Sequence, residues 1–205
     1  LFGQTNYPLC ILSVGVGLGY DHNTLSHYSL DDIGLYSSVP NLKIVTPVDC
    51  QSSIRYMKNW LGEPEKLVIR LERQAMPRDI SQISKKIENL EFGKILRQSS
   101  KNLVISWGYL GVSLMERAIN EGYDVLLIEE VQLNNFSLLQ SILSEYSKIL
   151  FTEESYQNTG IASIIMPVLL NINSKVILRH VDLSISDIRA HRQSLWNQFC
   201  LDSLF

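Results

Sequence analysis

Leu9-Cys10-Ile11-Leu12-Ser13-Val14-Gly15-Val16-Gly17-Leu18-Gly19-Tyr20 is an apolar, partly β-branched run that opens into alternating glycines. A run of that length bounded by glycine reads as a buried strand feeding a flexible exit loop. Downstream, Ser29-Leu30-Asp31-Asp32 predicts a helix start. Ser29 would be its cap, and Asp32, three residues on, stands where a capping box has Glu or Gln. The helix is expected to run to about Val39, where Pro40-Asn41 breaks it. Residues 42–45 read as a second strand. Pro47-Val48-Asp49 marks a turn whose Asp49 caps a helix reaching Leu61, ended by Gly62 and Pro64. Residues 67–71 form a third strand with Glu72-Arg73-Gln74-Ala75-Met76-Pro77 as its exit. Strands alternating with helices predict an α/β parallel sheet, whose ligand sites lie at the carboxyl ends of the strands.

Residues 78–90 turn polar and lose apolar periodicity, as a surface linker does. A second alternating set then begins. Strands are predicted over 103–107, 125–128, 149–152 and 176–180, and helices over 112–121, 137–146, 160–170 and 189–200. The expected organisation is a first unit over residues 1–80, a linker over 81–90 and a second unit over 91–205. Neither an internal repeat nor a low-complexity segment interrupts it.

The chain has 205 residues, 45% of them hydrophobic, enough for a sizeable core. Its net charge is −3, and no basic cluster is denser than Lys85-Lys86. That charge pattern argues against nucleic acid or anionic lipid as partner. The apolar runs fall short of the ~20 residues that span a bilayer. Cys10, Cys50 and Cys200 are odd in number and far apart. They are expected to be reduced thiols, buried or half-buried, in a cytoplasmic protein. The first residues, Leu1-Phe2-Gly3, lack Met and lead almost at once into a strand, so the start is expected to be a cut.

The densest polar cluster runs from Tyr20 to Asp32 and contains His22 and His27. An imidazole at a strand's carboxyl end can exchange protons or hydrogen bonds with a substrate hydroxyl near neutral pH. A solvated loop histidine is the alternative reading. For Arg73 the alternative is an exposed strand-end charge.

The same residues resemble a known family. Ser26-His27-Tyr28-Ser29-Leu30-Asp31-Asp32, then Val39-Pro40-Asn41-Leu42-Lys43-Ile44-Val45-Thr46-Pro47-Val48-Asp49, is similar to the pyrimidine-domain motif of transketolases. That motif reads Gly-x-Thr-His-x-x-x-Glu-Asp, followed by Pro-Asn-Leu-x-Val-x-x-Pro-x-Asp. Arg73-Gln74-Ala75-Met76-Pro77 matches the Arg-Gln-x-x-Pro that closes the domain. Val104-Ile105-Ser106-Trp107-Gly108 and Phe151-Thr152-Glu153-Glu154 resemble strands of the family's C-terminal domain. The fold implied is α/β: a parallel-sheet remnant of the pyrimidine domain, then a transketolase C-terminal-type α/β domain.

The resemblance implies transfer of a two-carbon ketol unit between sugar phosphates, with thiamine diphosphate and Mg2+ in the intact enzyme. His27 falls where the family hydrogen-bonds or moves a proton at the sugar's oxygen. Arg73 falls where it binds the substrate's phosphate, a task suited to a planar guanidinium. Asn23 holds a position that is often an acid recognising a substrate hydroxyl, and Thr24-Leu25-Ser26 replaces the usual Gly-Pro-Thr, which places Ser26 beside the substrate. Asp31 and Asp32 are expected to serve the helix N-terminus through its dipole. Glu153 and Glu154 are expected to be structural or interdomain.

Transketolases also use a pyrimidine-domain glutamate and a Gly-Asp-Gly metal site. The first glutamate here is Glu63, and Gly-Asp-Gly is missing. No cofactor is therefore expected on this chain alone. The partners implied are a sugar phosphate, an N-terminal transketolase section and a further copy of the chain in a homo-oligomer. Rival readings are a section of deoxyxylulose-phosphate synthase, a 2-oxo acid dehydrogenase beta chain, or a non-catalytic association module.

Overall fold

The computed structural model describes residues 4–23, 25–84, 86–131, 136–182 and 190–205. Leu1-Phe2-Gly3, Thr24, Lys85 and Arg189 fall outside the described residues. In the first unit, β1 (Leu9–Val14), α1 (Asp32–Ser37), β2 (Lys43–Val45), α2 (Cys50–Gly62) and β3 (Lys66–Leu71) follow the expected alternation. The strands form a parallel sheet in the order β1-β3-β2. Asp49 caps α2 as its sequence position implies, accepting from Ser52 N at 2.6 Å.

The capping box at Ser29 does not form. Asp31 is the N-cap of α1 and makes no side-chain cap bond. Ser29 instead forms an isolated bridge with Gly17. Asp32 is drawn away by a stronger partner: its carboxylate binds Arg70 at 2.8 and 2.9 Å.

The second unit comprises β4 (Ile87–Leu90), β5 (Gly93–Leu96), β6 (Asn102–Ser106), α3 (Gly108–Glu121), β7 (Asp124–Ile128), α4 (Phe136–Leu143), β8 (Lys148–Tyr156), α5 (Ile161–Leu169), β9 (Lys175–Val181) and α6 (Arg192–Phe199). Among the described residues its sheet has the order β4-β5-β7-β6-β8-β9. β6, β7, β8 and β9 pair in parallel, whereas β4 and β5 are antiparallel additions at one edge. Part of the expected linker is therefore strand. β4 alternates weakly, and its two middle residues, Glu88 and Asn89, are exposed. An edge strand carries half the apolar signal of a central one.

Both faces of this sheet are covered. Leu103, Ile105, Leu126, Ile128, Ile149 and Phe151 pack on one side with α4 and α5. Val104, Val125, Leu127 and Leu150 pack on the other with α3 and α6. The first unit enters both layers: Val16, Ile33 and Ile44 join one, and Leu18, Leu30 and Val48 join the other. The core is thus shared by the two units.

Charged pairs stitch the same boundary, most of their members buried. Lys94 of β5 donates to Asp49 at 2.6 Å, and Ile80 N donates to the same carboxylate at 2.9 Å. Arg55 of α2 meets Glu129 at 2.7 Å. Arg70 lies 4.4 Å from the Trp107 ring and also donates to Thr46.

The first sheet is less complete. Cys10, Leu12 and Val14 face the same side as Leu67, Ile69 and Leu71, but α2 covers only part of it. Leu12 and Val14 are 53% and 52% exposed, and an apolar groove of about 280 Å3 is lined by Leu12, Ile69 and Leu71 with Ile54 and Met57 of α2. Cys10 is half-buried, while Cys50 and Cys200 are exposed, contrary to the burial expected of them; all are free thiols. Exposure arises because Cys50 begins α2 and Cys200 follows α6. No described helix is long and apolar enough to cross a membrane.

Two outcomes follow. Asp49→Ala leaves the Lys94 ammonium buried without its counter-charge, so it should cost about 3–5 kcal/mol in urea unfolding. A loss under ~1 kcal/mol contradicts the pairing. The chain by itself should self-associate through β1, and Leu12→Lys should raise its monomer fraction in light scattering. A monodisperse wild-type monomer at micromolar concentration counts against that surface being sticky.

Candidate active site

The loops that leave β1 and β3 meet at the carboxyl edge of the first sheet. Gly15, with φ +84°, lets the Tyr20 ring fold over the chain; a Cβ there would collide with the ring carbons. Two candidate residues flank that ring. The His27 ring is centred 5.5 Å from it at a tilted angle of 58°, and the Arg73 guanidinium carbon is 5.2 Å from its centroid. Tyr20 therefore brings together the histidine and arginine singled out from the sequence, 46 positions apart by their residue numbers. His27 is exposed, and Arg73 stands at the exposed exit of β3. The Tyr20 ring gave no sequence signal of its own.

Ser26 is also exposed, with Oγ 2.9 Å from Nδ1 of His27, so it orients the imidazole. Asn23 closes a short 3-10 turn, Asp21–Asn23, and its N–H donates to Tyr20 O at 3.2 Å. Gln74 Nε2 donates to Gly19 O at 3.2 Å, joining the exit of β3 to the loop from β1. Leu25–His27 forms a second 3-10 turn.

Behind the edge lies a buried cluster that sequence reasoning missed. The Arg192 guanidinium donates through Nε to Glu154 Oε1 at 2.6 Å and through Nη1 to Glu72 at 3.1 Å and to Gln74 Oε1 at 2.6 Å. Trp196 Nε1 also donates to Glu154. Burial, with repulsion from Glu154, pushes the Glu72 carboxyl up, against the pull of Arg192 and Tyr109 N–H. Glu154 packs against the backbone of Gly17, where a Cβ would collide with its carboxylate. A cleft of about 420 Å3 opens beside this cluster, lined by Asp21, Gln74, Tyr109, His191, Arg192 and Trp196. Each partner comes from a distant segment, so only the fold reveals the grouping.

Glu153 points elsewhere. It accepts from Ile161 N at 2.8 Å and Ala162 N at 3.3 Å, capping α5, and from Trp107 Nε1 at 3.3 Å. The expectation of a structural or interdomain role matches both acids' contacts. A larger cavity, about 830 Å3, lies at the amino ends of β2 and β3 among Lys43, Lys58 and Glu65, away from Tyr20.

No protein-family model matches the chain. It is 25% identical over 174 residues to a subunit of the apulose-4-phosphate transketolase of Phocaeicola vulgatus, covering 82% of this chain and 54% of that one. The chain is homologous to transketolase-type enzymes. It is likewise 24% identical to 1-deoxy-D-xylulose-5-phosphate synthase of Chlamydia muridarum, over 84% of this chain and 28% of that protein. In three dimensions it shares the fold of a split-gene transketolase solved as an inactive beta4 tetramer. The TM-score is 0.73 at 19% identity, over 94% of this chain and 62% of the other. Transketolase from Campylobacter jejuni superposes with a TM-score of 0.61 at 13% identity, over 93% of this chain and 29% of the other. The chain thus matches a section of these transketolase-type relatives and spans about half the length of the apulose-4-phosphate transketolase polypeptide.

Burial pushes the Glu153 carboxyl up to about 7, although its backbone bonds, Trp107 and Arg70 pull the other way. Between the ordinary value of 4.5 and about 7 the folded chain holds a proton that the unfolded chain has lost. Folding should therefore weaken as pH rises through that window, by up to about 3 kcal/mol. Glu153→Gln should abolish that part of the slope in denaturant melts at pH 4.5, 6 and 7.5. Parallel slopes for both proteins would exclude Glu153 as the source.

Proposed function

We propose that this chain is the C-terminal section or subunit of a transketolase-like enzyme that transfers a two-carbon ketol unit between sugar phosphates. The observation that carries the reading is the meeting of His27 and Arg73 on the Tyr20 ring at the carboxyl edge of a parallel sheet. Arg73, stacked on that ring, offers its N–H fork to phosphate oxygens. His27, oriented by Ser26, holds or moves a proton at the sugar's oxygen. Asn23 offers an uncharged amide to a substrate hydroxyl, which retunes sugar choice relative to an acid.

The family resemblance implies thiamine diphosphate and Mg2+, and the described residues of this chain alone do not fit that group. No cluster of three or more His, Cys, Asp or Glu among them could hold a metal. The buried acids nearest the edge are committed: Asp32 to Arg70, and Glu72 and Glu154 to Arg192. When bound by another section, thiamine diphosphate supplies the carbon that carries the two-carbon unit. The proposed partners are that N-terminal section, or the remainder of a longer chain, and further copies of the chain in a cytoplasmic assembly.

The likeness to 1-deoxy-D-xylulose-5-phosphate synthase supports a second reading with a different donor. The half-covered face of β1 favours the association-module reading. One experiment separates them: the chain is combined with a transketolase-like N-terminal section from the same genome, thiamine diphosphate and Mg2+, and donors are compared. Arg73→Ala should raise KM for phosphorylated substrates about 10–100-fold with little change in kcat. His27→Ala should lower kcat about 10²–10⁴-fold. An equal effect of Arg73→Ala on unphosphorylated sugars would remove its phosphate role, and absence of all turnover would favour association alone.

A further inference from the structure

The loop from Gly15 to Tyr28 is fastened at its middle by a residue for which the transketolase reading has no use. Asp21 has φ 57°, a left-handed backbone that residues other than glycine rarely adopt. Glycine would suit that backbone better, so the carboxylate is the feature that distinguishes this residue. It reaches out of its own unit to the start of α6. Arg192 N–H, in the first turn of that helix, donates to Asp21 Oδ1, and His191 Nδ1 lies 3.4 Å from Oδ2. The Asp21 carbonyl accepts from Tyr28 Oη at 2.7 Å, tying the far side of the loop to the same point.

Arg192 grips the second arm of the site as well. Its guanidinium donates to Gln74 Oε1 at 2.6 Å, and the Gln74 amide donates to Gly19 O at 3.2 Å. Gln74 is the immediate neighbour of Arg73. One residue of α6 therefore bonds the loop that carries His27 through its backbone and the loop that carries Arg73 through its side chain. Arg192 itself is fixed by Glu72, Glu154 and stacking on Tyr109 and Trp196, 5.0 and 5.4 Å away. A side chain held on all sides in a buried site transmits position rather than absorbing it.

We propose that the His191–Arg192 turn of α6 is a clamp, with Asp21 and Gln74 as positioning residues that set the spacing of His27 and Arg73 from the C-terminal unit. This rests on the transketolase-like reading for its consequence but not for its existence. The groups facing Asp21 are His191 and Arg192 from α6, with the Tyr28 hydroxyl on its carbonyl.

The test uses two readouts. In the 205-residue chain, hydrogen exchange over residues 16–29 should quicken at least about tenfold in Asp21→Gly, a change that removes the side chain while keeping a backbone that glycine adopts readily. Exchange in β6 and β7 should stay unchanged, and Asp21→Asn, which keeps an oxygen for Arg192 N–H, should restore much of the protection. Should Asp21→Gly lower protection everywhere, Gln74→Leu reads the same clamp from the other arm. Unchanged exchange over 16–29 in both variants overturns the clamp. In the complex with the N-terminal section, both variants should lower kcat/KM for a phosphorylated sugar with the larger effect on KM, because His27 and Arg73 are present but misplaced. Faster exchange in these variants, where the wild-type pairing shows no ketol transfer, retains the clamp and removes the transketolase reading. Faster exchange with unaltered kinetics in an active pairing overturns the positioning role.

Discussion

A guanidinium removed from water has to be surrounded by acceptors, and that requirement on Arg192 organises this molecule. Its side chain is 6% exposed, and those of Glu72 and Glu154 are 1% and 0% exposed. Two buried carboxylates so close would repel each other without the cation between them, and the cation would be untenable without them. The three groups come from the exit of β3, the end of β8 and the start of α6. The position of each is therefore conditional on the other two, and the loops that run from these elements inherit that constraint. Asp32–Arg70 and Asp49–Lys94 act in the same way at two further points of the boundary.

Removing any one of these partners strands its mate, which is why the boundary between the units behaves as an interior. Flexible interdomain contacts are polar, wet and limited in area. Here the apolar layers on both sides of the larger sheet contain residues of the first unit, and the charges between them are paired and, Arg55 apart, largely buried. The loops that carry His27 and Arg73 belong to the first sheet and are braced by α6 of the second unit. This boundary leaves one side of the small sheet, around Leu12 and Val14, only half covered by α2 within the described residues.

Much of the architecture is legible from local patterns. The run at residues 9–14, the cap at Asp49 and the alternation of strand and helix are enough to predict a parallel α/β sheet. His27 is marked by its place in a polar loop at a strand's carboxyl end and by the family resemblance, and Arg73 by the resemblance alone; for each, solvation is the alternative that local sequence leaves open. Local patterns fail where a distant partner competes. Ser29 and Asp32 have the spacing of a capping box, but Arg70 offers Asp32 a buried ionic partner, and a local hydrogen bond worth about 1 kcal/mol cannot compete with satisfying a buried charge. The strand β4 resembles linker because an edge strand needs only one apolar face.

The sequence by itself determined the alternation of strand and helix, the approximate place of most elements, and that the chain resembles a section of a thiamine-dependent transferase. These depend on near neighbours: periodicity, glycine, proline and caps act within a few residues. Only the tertiary structure decided that Tyr20 unites His27 with Arg73, that Arg192 joins Glu72, Gln74 and Glu154, and that Asp21 answers to α6. The Arg192 contacts with Glu154 and Asp21 link residues 38 and 171 positions apart. Their energy comes from excluding water around charge, a property of the assembled interior that no local stretch of sequence possesses.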